Sequence, residues 1–332
     1  MVPGARLRPL SSRPMRSDLA DRTVSRCLRL AALLTLAAIL VPAAATAAEV
    51  APASAAREQA RVERVLRYWT PQRMRNARPL DLVVGEGAGS RLRLGQPAAA
   101  ATASFLTIPE PEAAPYSVNG RIFVRQGKLE GSCSGTAINS PTRQLVLTAG
   151  HCVNNGSDGT RHPVWSQFLE FVPAYDGGSA PFGAFVARRS TLRSLPQWTK
   201  HGNPDYDMGA FLTNPNAEGV NVADAVGGGA TIAIGLSRHQ RFQTFGYPGD
   251  VHRLQGCSSP YTGDDALTYP LPGPPTLGIR CHWAPGASGG GWLINDGAEI
   301  NGINSYLHLD NRSHTYGPYF AQETVGKLVR GF

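Results

Sequence analysis

Hydrophobic positions divide this chain into stretches of different texture. Residues 30–41 (LAALLTLAAILV) form one uncharged apolar run. Within residues 49–70, Val62, Val65, Leu66 and Trp69 fall at i, i+3, i+4 and i+7, the spacing of one apolar helix face. Pro71 is expected to end or interrupt that helix. Residues 72–115 are rich in Arg, Ala, Gly and Pro and show little periodicity. From Tyr116 the pattern changes to short apolar runs bounded by Gly, Pro, Asn or Asp: RIFVRQGK, GTAI, QLVLTAG, FLEFVPAY, GAFVARRS, MGAFLT, TIAIG, FQTFGYPG, LGIRCHW, GWLI and INGINSY. Closely spaced short strands of this kind predict an all-β barrel or sandwich. A short helix is expected only near the end, at Glu323–Val329, and Val220–Gly229 (VNVADAVGGG) reads as a connection between two β halves. No repeat of a solenoid or propeller period is visible.

Composition agrees with that pattern and narrows it. The chain has 332 residues, room for one large domain or two average ones. Its 42% apolar content excludes global disorder, while 17% charged residues with 37 Gly and 26 Pro favour a turn-rich β protein over a helical bundle. The net charge of +8 suggests nucleic acid until it is located. Residues 1–48 hold seven Arg against two Asp, residues 49–115 nine Arg against seven acids, and residues 116–332 sixteen basic against fifteen acidic residues. The excess sits at the N-terminus, so no nucleic-acid partner is expected.

The apolar run at 30–41 is shorter than the ~20 residues a membrane span needs. Arg26 and Arg29 precede it and the small residues AAATAA at 43–48 follow it, the three parts of an export signal. Residues 1–48 are therefore read as a signal peptide cleaved after Ala47 or Ala48, with Met15 an alternative start. No adjacent Arg pair precedes the run, so twin-arginine export is not indicated. Residues 49–115 are read as a prosegment or linker, and 116–332 as the main domain, with halves of about 116–220 and 221–332. The expected product is secreted and extracellular, monomeric, and without stable membrane association. Export removes Cys27 and leaves Cys133, Cys152, Cys257 and Cys281. Four cysteines in an oxidising compartment suggest two disulfides, with three connectivities open. No C-x-x-C pair exists, so a zinc site is unsupported and no metal or cofactor is expected.

Three segments carry chemistry, in the order His, Asp, Ser. In Leu147–Cys152 (LTAGHC) an apolar strand runs into a small-residue turn that presents His151. Asp205-Tyr206-Asp207-Met208-Gly209-Ala210 precedes the apolar pair Phe211-Leu212, and Pro285–Gly290 (PGASGG) sets Ser288 among glycines. A G-x-S-x-G string alone also fits the nucleophile elbow of an α/β-hydrolase. That fold needs its acid and His after the Ser, and the 44 residues that follow Ser288 are too few to complete such a sheet. Cys133 and Ser134 lie in a G-S-C-S-G string, read as a disulfide position and not a nucleophile. Asn154–Gly159 offers oxygen ligands without the spacing of a calcium loop, and reads as a turn.

Taken together the three segments resemble the trypsin-like (chymotrypsin-fold) serine proteases. LTAGHC matches that family's histidine motif almost letter for letter, and Gly135–Ile138 (GTAI) looks like the strand before it. The resemblance covers Tyr116 to Phe332. It is closest in character to secreted bacterial glutamyl-endopeptidase-like and actinomycete trypsin-like proteins. It implies two six-stranded antiparallel β-barrels with the active site between them, preceded by the signal peptide and prosegment. It also implies a serine endopeptidase acting on polypeptides. His151 would be general base, Asp207 its orienting partner (Asp205 the rival) and Ser288 the nucleophile, with the N–H groups of Gly286 and Ser288 forming the oxyanion hole. The resemblance implies the disulfide Cys133–Cys152, which brackets the histidine, and a bridge between Cys257 and Cys281. Ser305, in Gly302–Tyr306 (GINSY), would help hold Asp207, while its neighbours pair with substrate as an added strand. His282 would stand at the floor of the primary specificity pocket, where a protonated imidazole would favour an acidic side chain. Asn304 stands where glutamyl endopeptidases carry His.

The chain departs from the family in three places. Ala287 replaces the Asp that often precedes the nucleophile, and Tyr116–Gly120 (YSVNG) stands where an Ile-Val-Gly-Gly start is usual. Activation by insertion of a new N-terminus is therefore not implied. The pocket floor lacks the Asp that cleavage after Lys or Arg requires. Two alternatives use the same fold. One is a non-catalytic binding protein whose cleft is covered by a loop such as Pro270–Pro275 or by a retained prosegment. The other is an esterase.

Overall fold

The computed structural model describes residues 43–84, 90–94, 105–157, 162–249, 251–265, 273–308 and 313–332. Most of the predicted signal peptide, Cys27, Asp158, Gly159 and Pro270–Pro272 lie outside them. The chain divides into Met1–Pro52 and Ala53–Phe332, and the fold is that of the second unit.

The N-terminal region supplies α1 (Ala43–Tyr68), α2 (Pro71–Asn76), β1 (Arg78–Val84), β2 (Ser90–Leu94) and β3 (Leu106–Thr107). The expected apolar face of α1 is present. Val62, Val65 and Trp69 are buried, while Leu66 lies at its rim and is 36% exposed. The Tyr68 and Phe168 rings lie 4.4 Å apart, and Trp69 Nε1 donates to the Phe168 carbonyl. Pro71 starts a second helix in place of continuing the first, with Thr70 as its N-cap. Its missing N–H costs nothing at that position.

The first barrel is built from β4 (Asn119–Gln126), β5 (Leu129–Ile138), β6 (Leu145–Thr148), β7 (Gln167–Pro173), β8 (Phe185–Val186) and, after the short α3 (Gly150–Val153), β9 (Arg193–Ser194) and α4 (Pro196–His201), β10 (Gly209–Leu212). Antiparallel ladders run β8–β7–β4–β5–β6–β10. A bridge between Ala187 and Thr213 joins the two ends and closes six strands. Ile122, Phe123, Val146, Leu147, Phe171 and Phe211 are fully buried and belong to one hydrophobic core.

The chain then passes through α5 (Val222–Ala225) and β11 (Thr231–Ile232) into β12 (Arg241–Gly246), β13 (Gln255–Asp264), β14 (Leu277–Ile279), β15 (Gly291–Ile294), β16 (Glu299–Ile303), β17 (Tyr306–His308), β18 (Thr315–Gly317) and α6 (Lys327–Val329). Antiparallel ladders link β16–β15–β12–β13–β14–β18–β17. Because β16 and β17 are one strand interrupted at Asn304–Ser305, this too is a closed six-stranded barrel. Phe242, Leu277, Ile279 and Trp292 form its core. The architecture is the chymotrypsin-like all-β fold that the sequence implied.

Among the strands outside the expected runs, two matter most to the fold. β13 (QGCSSPYTGD) is small and polar, and alternate positions of its outer half are exposed. Its place comes from pairing β12 on one side and β14 on the other, not from hydrophobicity. The other is β1. It runs parallel to β5, with Arg78↔Gly131 and Pro79↔Ser132, and parallel to β17, from Leu82↔Tyr306 to Val84↔His308. One strand of the predicted prosegment thus bridges both barrels. Its alternate residues Leu80, Leu82 and Val84 are buried, a period-2 pattern too short to stand out in an Arg-rich stretch.

Candidate active site

His151 lies in α3, directly after β6. Asp207 follows a one-turn helix at Pro204–Tyr206, just before β10, which pairs with β6 from Gly209↔Thr148 onward. That ladder brings the two residues together. His151 N donates to Asp207 Oδ1 at 2.7 Å, and Nδ1 lies 2.8 Å from Oδ2. Ser305 Oγ donates to the same Oδ2 at 2.6 Å. With a carboxylate acceptor at that distance, Nδ1 carries the proton and Nε2 presents a lone pair. His151 and Asp207 are fully buried, and Nε2 has no hydrogen-bond partner among the described residues.

Asp205, the rival acid, has no hydrogen bond or ion pair with His151 among the described residues. It is buried two residues away, and desolvation, then repulsion from Asp265, pushes its carboxyl up to about 6.

Ser288 sits on a loop from the second barrel that is held by the first. Ser288 O accepts from Ser134 N at 2.8 Å. Ser134 Oγ donates to Gly286 O and accepts from Tyr247 N, each at 2.9 Å. Ser134 therefore pins both ends of the Gly286–Ser288 turn, a role the sequence reading did not assign to it. Gly286 and Gly289 adopt φ of +99° and +84°, a region open mainly to glycine. A Cβ at Gly289 would stand 2.1 Å from Thr148 Oγ1. This sharp turn aims the Gly286 N–H outward. It donates at 3.1 Å to the carbonyl of Leu80 on β1, and Ser288 Oγ donates to the same oxygen at 3.4 Å. A carbonyl oxygen thus meets one of the two N–H groups expected to form the oxyanion hole, together with the Ser288 hydroxyl.

Both expected disulfides are formed, Cys133–Cys152 and Cys257–Cys281. The first ties β5 to the residue after His151. Cys133, His151 and Cys152 cluster closely enough to suggest a metal, but their sulfurs are bonded to each other and offer no thiolate.

A small cavity beside Ser288 is lined by Trp283, Ala284, Asn304, Ser305 and Thr315, together with Asp81 of β1. His282 is half-buried and is not part of this lining, contrary to its expected place at the floor. The reason lies in the adjacent bonds. Trp283 N donates to Thr315 Oγ1 at 3.2 Å, and Trp283 Nε1 donates to Thr244 Oγ1 at 3.0 Å. These fix Trp283 inward, and Trp283 N also donates to Cys281 O at 2.9 Å, closing a tight turn with His282 at its centre. Thr315 was missed because β18 is only three residues long and lies far along the chain. Asn304 does border the cavity, yet its amide is spent on the frame. Nδ2 donates to Phe245 O and Ala287 O, and Oδ1 accepts from Trp292 Nε1.

No family model matches the chain, and no curated protein matches it. Solved structures do. Protease Anisep from Arthrobacter nicotinovorans is 32% identical with a TM-score of 0.55, the match covering 64% of this chain and 94% of that one. AL20, a thermostable serine protease from an extremophilic microorganism, is 28% identical with a TM-score of 0.55, over 62% of this chain and 92% of its own. A Glu endopeptidase shares the fold at 19% identity and a TM-score of 0.54, over 69% of this chain and 96% of its own.

Proposed function

Because the chain belongs to the chymotrypsin-fold serine proteases, and is thereby a serine-type peptidase acting on peptide substrates, we propose that it is an exported endopeptidase whose acyl transfer is carried by Ser288, His151 and Asp207. Ser288 Oγ attacks the peptide carbonyl while His151 Nε2 takes its proton. Asp207 holds the ring in the required tautomer and stabilises the imidazolium that forms. The N–H groups of Gly286 and Ser288 receive the developing oxyanion. His151 then protonates the leaving amine, and water completes the cycle on the acyl-enzyme. The observation that carries this reading is the paired hydrogen bond from His151 to Asp207, backed by Ser305. The Gly286 N–H, already bonded to a carbonyl beside Ser288, supports it. Two disulfides in the described fold support export to an oxidising compartment, where a monomer would act on polypeptides.

Intact-mass analysis of secreted protein treated with a fluorophosphonate probe tests the reading. A single adduct is expected on the processed form of the wild type and none on Ser288→Ala, and the mass reports the mature N-terminus. Folded, processed protein that takes no adduct would refute the peptidase mechanism and favour a non-catalytic binding protein. Turnover of esters without peptides would favour the esterase.

A further inference from the structure

β1 runs through the cleft in a direction that a substrate cannot use. Leu80 lays its carbonyl oxygen on the Gly286 N–H and the Ser288 hydroxyl. Before that carbonyl, Arg78 and Pro79 pair with Gly131 and Ser132 of β5, the strand tied to the His151 turn by Cys133–Cys152. After it, Leu82–Val84 pair with Tyr306–His308 of the second barrel, and Asp81 lines the cavity with Trp283 and Thr315.

A productive substrate needs the opposite order. Its leaving amine takes a proton from His151, so the residue following the attacked carbonyl has to lie on the His151 side. In β1 the residue following the carbonyl is Asp81, on the far side. If Ser288 Oγ added to the Leu80 carbonyl carbon, its proton would pass to His151. The Asp81 nitrogen would then lie out of reach of that proton. The adduct returns to Ser288 hydroxyl and an intact Leu80–Asp81 bond.

The strand is also built into its site. Leu80 and Leu82 are almost wholly buried. A Cβ on Gly131 would come within 2.8 Å of the Leu80 side chain. β2 pairs along β1 from Leu80↔Leu94 to Val84↔Ser90, so the edge facing away from β17 is also paired. We propose that Arg78–Val84 is a built-in inhibitor that fills the catalytic cleft with reversed polarity, shutting out substrate and resisting hydrolysis by the enzyme's own Ser288. This rests on Ser288 being the nucleophile. It also sets the class of reaction that must precede activity. A second protease, or another copy of this one, has to cut the chain outside Arg78–Val84.

The test compares fluorophosphonate labelling of three folded forms of the full chain: wild type, Leu82→Asp, and a form with the recognition sequence of a site-specific protease inserted after Glu112. Asp in place of the buried Leu82 would leave an ionised group without water and unseat the strand. Cutting the inserted site after folding makes the strand a separate chain, and dilution removes its effective concentration of millimolar order. Wild type is expected to label about a hundredfold more slowly than the opened forms. Equal rates in all three would overturn the inhibitor while leaving Ser288 as nucleophile. No labelling in any form would overturn Ser288 itself, and the inhibitor with it. Should Leu82→Asp fail to fold, the cut form carries the comparison. A synthetic peptide of sequence Ala77–Val84 then tests polarity. Added to the cut form it should slow labelling and be recovered whole by mass spectrometry. Its hydrolysis at any bond would overturn the reversed orientation.

Discussion

Asp205 and Asp207 stand two residues apart and do opposite things. Asp207 accepts three hydrogen bonds from His151 and Ser305, whereas Asp205 is buried beside Asp265, which disfavours its charge. The 3.8-to-about-6 rise has a defined consequence for stability. Below about pH 4 the carboxyl is protonated in folded and unfolded chains alike. Between about 4 and 6 the unfolded chain releases its proton while the folded chain retains it, and folding loses stability as pH rises. Above 6 that loss is complete. Asp205→Asn removes it, so the variant should be more stable by roughly 1–2 kcal/mol at pH 8, after allowance for solvent screening, and nearly unchanged at pH 4. Thermal melts at the two pH values check this, and an equal gain at both would exclude charge burial as the cause. The motif around Asp207 was legible because it precedes an apolar strand. The unusual state of Asp205 was not, since it depends on Asp265, distant in sequence.

At the scale of elements, most of the first barrel could be read from its apolar runs, because its strands bury hydrophobic side chains in a closed interior. The polar β13 could not, because a strand between two partners is held largely by main-chain hydrogen bonds, which do not depend on apolar side chains. The turn that carries Ser288 lies between these cases. Its glycines were visible, and their physical necessity comes from what surrounds them. Gly289 combines a positive φ with a Cβ position 2.1 Å from Thr148 Oγ1 and 2.5 Å from the Ser134 carbonyl. Gly289→Ala should therefore shift the whole loop. The expected result is a fall in kcat of about a hundredfold, as misplacing a reacting group by an ångström can cost, together with a lower melting temperature. Active-site titration and calorimetry on the same preparation would show both. A lower Tm with unchanged kcat would mean that the turn tolerates the methyl group.

Across the whole molecule, α1 and β1 join a predicted prosegment to both barrels. Trp69 anchors that attachment, buried at 3% exposure, with its ring 5.6 Å from Phe123 in the first barrel. Trp69→Ala should destabilise the full chain by about 3 kcal/mol, at the low end for a large buried aromatic. Urea denaturation followed by far-UV circular dichroism measures this. A change below about 0.5 kcal/mol, the range of an ordinary surface substitution, would mean that α1 is only loosely attached. The sequence by itself determined the all-β fold and singled out the candidate catalytic residues. These are written in short contiguous strings such as LTAGHC and PGASGG, whose composition dictates a local turn. It also narrowed the disulfides to two. Tertiary structure alone decided that Trp283 and Thr315 line the cavity in place of His282, that Ser134 clamps the Gly286–Ser288 loop, and that β1 lays the Leu80 carbonyl on Gly286 and Ser288. Each of these depends on partners tens to hundreds of residues away, and a strand's neighbours are chosen by pairing geometry and burial across the assembled barrels, which no local pattern of side chains records.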